Sequence, residues 1–103
     1  MTPLDDVEVE LRRIVDRLNT MPLTRADSVA GPCRELALLL VEQTRRLVDD
    51  IPVDAEVPDL RVQGFGALIA VLGHDFVIAA RRADQPDVTP VLATLVEVRR
   101  SLP

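Results

Sequence analysis

The sequence is poor in aromatic residues. It contains no Trp and no Tyr, and its only aromatic residues are Phe65 and Phe76. Stacking platforms for single-stranded nucleic acid and aromatic cages for cations both require rings that this chain lacks. The shortage therefore argues against both kinds of binding. It also leaves Leu, Val, Ile and Ala to fill the core, which is typical of helices that pack through aliphatic ridges.

Lysine is absent as well, so all twelve basic residues are arginine. We interpret this bias as the mark of a GC-rich bacterial genome. The seventeen acidic residues outnumber the arginines and give a net charge of −5. Proteins that bind nucleic acid generally do so by displacing phosphate counterions with basic residues. We therefore expect no nucleic-acid partner.

Cysteine and histidine occur once each, as Cys33 and His74. A single cysteine excludes an intramolecular disulfide and leaves a cysteine-based zinc site without a second thiolate. His74 has no carboxylate three or four residues away on the predicted helix, so a metal site of the bundle type is poorly supported. We predict a buried, inert Cys33, and neither a metal nor another cofactor.

The chain also has no long hydrophobic run. The longest apolar stretch without a charge, over residues 62–73, is shorter than the roughly 18 to 20 residues that a membrane-spanning helix requires. The first residues carry neither a basic region nor an apolar run, so they do not resemble a secretion signal or a transit peptide. We expect a cytoplasmic protein with no membrane partner.

Hydrophobic periodicity predicts four helices, over about 3–20, 32–50, 58–82 and 89–102. Short connections favour antiparallel neighbours, so we expect an all-α, up-down-up-down four-helix bundle. The length suits one core, and hence a single domain over 1–103. Whether a short extra helical turn forms at 24–30 is left open.

The first predicted helix has the clearest start signal and the clearest stripe. Thr2 suits the N-cap, Pro3 the first helical position, and Asp5 the positive end of the helix dipole. Apolar residues then recur at spacings of three and four, which predicts one buried side. The stripe consists of Leu4, Val7, Leu11, Ile14, Leu18 and Met21.

Charged residues are predicted to lie on the helix surfaces. Glu8 with Arg12, and Glu10 with Arg13, have the spacing of stabilising surface pairs. Three arginine pairs fall near predicted helix C-termini, where cations complement the dipole. They are Arg45-Arg46, Arg81-Arg82 and Arg99-Arg100. An up-down-up-down order distributes these pairs over both ends of the bundle, so we expect no large basic patch.

The second helix contains a run, Leu36 to Val41, that is apolar on every side. Such a run indicates contact with neighbours from more than one direction. We predict it to be the most buried helical segment.

The third helix is apolar on two sides. One stripe suits the core and consists of Phe65, Ile69, Leu72, Phe76 and Ala79. An adjacent stripe of small residues suits close helix packing and consists of Gly66, Ala70, Gly73, Val77 and Ala80. A further set lies on the side away from the Phe stripe and consists of Leu60, Ala67, Val71, His74 and Ile78. A helix with two apolar sides must bury both.

This surplus of apolar surface leads to our first hypothesis about function. We expect a protein that acts by protein-protein interaction or self-association, with a homodimer as the leading form, through the side that includes Val71, His74 and Ile78. Ser28 and Ser101 are the only serines, and the sequence has no Gly-rich phosphate loop and no His-Glu metal motif. We therefore do not expect an enzyme.

A second hypothesis comes from a short resemblance. Residues Leu72-Gly-His-Asp-Phe76 resemble the box around the phosphorylated histidine of sensor histidine kinases, in which an acid and then Leu or Phe follow the histidine. The resemblance implies that His74 is a phosphoacceptor and Asp75 its acid-base partner, in a histidine phosphotransfer module. The family continues with a basic residue, a small polar residue and Pro, where this chain has Val77, Ile78 and Ala79.

A third hypothesis starts from the glycines and the shortage of aromatics. Both features reduce the side-chain volume available to fill the interior of a helical bundle. A cavity left in this way would suit an apolar small molecule.

Overall fold

The computed structural model of the protein describes residues 2–21, 27–47, 64–83 and 86–102. These residues form four helices, which we name α1 (Pro3–Thr20), α2 (Ala30–Leu47), α3 (Phe65–Arg82) and α4 (Thr89–Ser101). The described ranges contain no strand. The predicted all-α four-helix bundle is confirmed.

The helix boundaries agree with the sequence except at the starts of α2 and α3, and the predicted end of α2 at about 50 lies outside the described residues. A 3-10 turn over Asp27–Val29 leads directly into α2, so part of the segment left open at 24–30 is helical. The third helix begins at Phe65, with Gly64 as its N-cap, and not near residue 58. Glycine disfavours a helix interior, which is consistent with a start at this point. Residues 22–26 and 48–63 lie outside the described residues.

The start of α1 follows the sequence signal closely. The Thr2 hydroxyl accepts a hydrogen bond from the Asp5 backbone N–H at 3.2 Å. In return, the Thr2 backbone N–H donates to the Asp5 carboxylate at 3.0 Å. This reciprocal capping box satisfies two backbone donors at the helix end, where Pro3 lacks one in any case.

The core lies between all four helices and contains both aromatic residues. Phe65 and Phe76 are each 1% exposed. The α1 stripe faces inward as predicted: Val7, Leu11 and Ile14 are buried. The remaining members of that stripe pack against the core and are Leu4, Leu18 and Met21.

Helices α1 and α3 pack against each other in opposite directions. Near the start of α1, Glu8 contacts Arg81 near the end of α3 at 2.5 Å. Near the end of α1, the side chain of Asn19 covers Gly66 at the start of α3. Two contacts at opposite ends require an antiparallel pair.

Two further contacts give the directions of α2 and α4. The Arg34 guanidinium near the start of α2 lies 5.9 Å from the centre of the Phe65 ring at the start of α3, so α2 and α3 run parallel. Glu10 is paired with Arg99, and the later residues Arg13 and Leu102 line one pocket, so α4 runs parallel to α1. The helices are therefore ordered up-down-down-up.

This order differs from the up-down-up-down order that the sequence predicted. The end of α2 and the start of α3 lie at opposite ends of the bundle. Residues 48–63 connect them, and sixteen residues reach up to about 53 Å, against about 27 Å for an 18-residue helix. The connection is long enough to link opposite ends, whereas a short loop joins only adjacent ends. The length of this connection, and not a turn motif, allows α2 and α3 to run parallel.

The apolar run of α2 is only partly buried. Leu36 and Leu40 are fully buried, but Leu38 between them is 57% exposed. The prediction that this run is the most buried helical segment is therefore wrong at Leu38. The reason is that α2 packs mainly on α3 and α4, which cover one side of the helix and leave the other to solvent.

Candidate interaction surface

A groove of about 380 Å³ runs between α1 and α3. Its apolar lining comes from both helices and consists of Leu11, Val15, Ile69, Ala70, Gly73, Val77 and Ile78. The charged and polar side chains that line it are Glu8, Arg12, Asp16, His74 and Arg81. The groove is an apolar strip bordered by charges of both signs.

The small residues of α3 explain why the two helices approach closely here. A Cβ atom on Gly73 would lie 2.8 Å from Cδ2 of Leu11, so only glycine fits without movement of the leucine. At Gly66 the corresponding neighbour is the side chain of Asn19. Of the remaining small residues predicted to pack closely, Val77 and Ala80 are buried, whereas Ala70 is exposed and lines the groove.

The side of α3 next to the groove carries the residues that the sequence assigned to an interaction. Ala67, Val71 and His74 are exposed, and Ile78 is partly exposed. We name these four residues the outer face of α3. Val71 is 59% exposed and, with Leu38, is one of the two large hydrophobic residues that the described part of the chain leaves most open to solvent. Leu60, the fifth residue of the predicted set, lies outside the described residues.

The ion pair at one end of the groove was not predicted. The sequence paired Glu8 with Arg12 on α1, but the structure pairs Glu8 with Arg81 of α3 at 2.5 Å. The partners are 73 positions apart and meet only because α1 and α3 are antiparallel. Both side chains remain partly solvated, at 33% and 57% exposure. A solvated ion pair contributes little to stability, so this pair mainly holds the two side chains in place at one end of the groove.

His74 lies in the wall of the groove, while Asp75 does not line it. Both side chains are exposed. Consecutive residues of a helix project about 100° apart, so the two side chains point to different sides of α3. Arg12 of α1 lines the same groove as His74. The described residues contain no group of three or more His, Cys, Asp or Glu that is suited to hold a metal ion.

Cys33 is part of the core and has no exposed surface. Burial removes water from around the thiolate and raises the pKa of the Cys33 thiol to about 11. A neutral thiol under apolar neighbours is neither a nucleophile nor a metal ligand near neutral pH. The predicted burial of Cys33 is confirmed, and its lack of reactivity stays a prediction.

Comparison of the chain with protein-family models, with curated proteins and with solved structures found no match. None of the helices in the described ranges combines the length and apolarity needed to cross a membrane.

Proposed function

We propose that this protein acts by binding a protein partner through the outer face of α3 and the adjoining groove, and that the partner is a second copy of the chain. The observation that carries this proposal is the exposure of Val71, at 59%, beside an apolar groove. Exposed apolar surface that adjoins such a groove is typical of interaction sites.

The charges around the groove favour a second copy over an unrelated partner. Arg81 lies at one end of the groove and Asp16 toward the other, because α1 and α3 run in opposite directions. A twofold axis across the groove exchanges its two ends. It brings the Arg81 end of one copy over the Asp16 end of the other, twice in the same dimer. At both ends Arg81, which is paired with Glu8 of its own copy but keeps 57% of its side chain exposed, then faces Asp16 of the other copy.

Sedimentation velocity across micromolar concentrations tests this proposal with a matched pair of variants. Val71→Glu and Leu38→Glu each place one charge at a residue of similar exposure, 59% and 57%, but on different helices. We expect a dimer for the wild type, a monomer for Val71→Glu and a dimer for Leu38→Glu, because a buried unpaired carboxylate opposes association.

Three results contradict the proposal: a wild type that stays monomeric, a dimer that survives Val71→Glu, and dissociation by Leu38→Glu alone. Circular dichroism of each variant checks that the helices remain formed.

Histidine phosphotransfer is the second candidate, because His74 is exposed on a helix of a four-helix bundle. The test is incubation with a small phosphodonor or a phosphorylated receiver, followed by measurement of acid-labile phosphate. Label on the wild type that disappears in His74→Ala supports this function. Equal labelling of the two proteins, or none, opposes it.

Binding of an apolar small molecule is the third candidate. The groove volume of about 380 Å³ lies within the range of small-molecule sites. It is placed between α1 and α3 at the surface and not inside the bundle. Native mass spectrometry tests it: a retained ligand that is lost when Ala70→Leu fills the groove at an exposed lining residue supports this function, and a ligand-free mass opposes it.

A further inference from the structure

Four arginines surround a second pocket, which lies between α1 and α4 and has a volume of about 540 Å³. Arg13 and Arg17 come from α1, and Arg99 and Arg100 from α4. Leu102 and Asp16 complete its lining. The two arginine pairs meet because α4 runs parallel to α1, which places the last turn of α4 beside the second half of α1.

A buried carboxylate orients part of this cluster. Glu10 is 8% exposed, and its Oε2 accepts a hydrogen bond from Nε of Arg99. Its Oε1 lies 3.7 Å from Nη1 of Arg13. One carboxylate therefore contacts two guanidiniums from different helices, and Arg99 uses its Nε for this contact while its side chain stays 30% exposed. Arg17 and Arg100 are exposed and have no ion-pair partner within the described part of the chain.

The positive charge of the four arginines exceeds the negative charge that the C-termini of α1 and α4 offer. Four guanidiniums against the carboxylates of Glu10 and Asp16 leave a local charge of +2, in a protein whose net charge is −5. Each helix C-terminus offers about half a negative charge, so α1 and α4 together compensate about one unit. About one unit of positive charge remains without a counterpart.

We propose that this pocket is a binding site for a phosphate monoester. A guanidinium presents a planar fork of donors that matches phosphate oxygens. A phosphate monoester carries about −1.5 to −2 charge near pH 7, whereas a single carboxylate carries −1. The three strong acceptor oxygens of the phosphate suit guanidiniums that come from two helices, whereas a carboxylate offers only two oxygens. Leu102 is partly exposed at the pocket and offers an apolar contact for the organic part of the ester.

Titration of the full chain with glycerol phosphate, followed by NMR at constant ionic strength, tests this site. We expect saturable shifts confined to residues around the pocket, with acetate and chloride producing none that saturate. Arg17→Ala and Arg100→Ala should each weaken binding about fivefold, the upper value for a solvated ion pair. The double variant should weaken binding about 25-fold, the product of two independent fivefold effects.

Arg82→Ala is the matched control, because Arg82 is an exposed arginine on α3 that does not line the pocket. It should bind like the wild type. Equal weakening by Arg82→Ala, or equal affinity for acetate, would mean that only the general surface charge matters, and the site is then refuted. Absence of saturation in the wild type also refutes it. None of these outcomes depends on the oligomeric state, so this site and the α3 surface are tested separately.

Discussion

Gly73 of α3 lies directly against Leu11 of α1, so closely that an added Cβ atom would be 2.8 Å from Cδ2 of the leucine. Leu11 is 8% exposed, and its side chain must shift before a larger residue fits at position 73. This contact sets the approach of α1 to α3, and with it the depth of the groove between them.

Gly73→Ala should therefore destabilise the protein. Alanine gains about 1 kcal/mol in helix propensity, but overpacking a core costs about 1–3 kcal/mol. We expect a net loss of about 1 kcal/mol in the free energy of unfolding, measured by urea denaturation. Gly31→Ala is the control, because nothing lies within 4 Å of its added Cβ. That variant should be stabilised by about 0.5 kcal/mol, and a stable Gly73→Ala would show that Leu11 moves freely.

Glu10→Gln should cost more stability than Glu42→Gln. The Glu10 side chain is 11% exposed and holds Arg99 across two helices, so its loss should cost about 1.5–3 kcal/mol. Glu42 pairs with Arg46 on α2 with both side chains more than half exposed, and such a pair contributes about 0.3–0.5 kcal/mol. Denaturant unfolding at low and high salt measures both. Equal losses would contradict the structural role of Glu10.

The capping box should make α1 sensitive to acid. Hydrogen bonds from the backbone N–H and the hydroxyl of Thr2 lower the pKa of the Asp5 carboxyl. A lowered carboxyl pKa contributes stability above the unfolded value of about 3.9, and that contribution is lost as pH falls through the folded value. An NMR pH titration should place Asp5 below its ordinary range, and Asp5→Asn should remove this part of the pH dependence.

Thr2→Ala separates the two halves of that capping box. The backbone N–H, which is the largest cause of the lowered pKa of Asp5, remains in alanine, whereas the hydroxyl acceptor is lost. We expect stability to fall by about 1 kcal/mol while the pKa of Asp5 stays below its ordinary value. A full return of that pKa would assign the effect to the hydroxyl instead.

Cys33 should be unreactive in the folded protein. Its side chain has no exposed surface, and burial raises its pKa to about 11. Thiol labelling near pH 8 should proceed only through opening of the bundle, at a rate that urea increases. Stability should also fall as pH rises from about 8.5 toward 11, because only the unfolded state releases the thiol proton in that interval. Cys33→Ala should lack this alkaline dependence.

Local patterns in the sequence were sufficient to predict the helices and most of the core. The start of α1 could be predicted because Thr2 and Asp5 form their capping box within one turn. Helical periodicity alone placed Phe65 and Phe76 inside, and Val71 and His74 on another side of α3. Periodicity did not predict the exposure of Leu38, because it identifies apolar residues but not how many neighbouring helices cover them.

The contacts between distant parts of the chain depend on the directions of the helices. The sequence by itself determined where each helix forms and which side is apolar, since neighbours three and four residues apart set those properties. Only the tertiary structure decided that α3 runs against α1 and that α4 runs beside it. These helix directions pair Glu8 with Arg81 and bring Arg13 toward Arg99. Contacts between positions 73 or 89 residues apart depend on how the connections close, which no local pattern encodes.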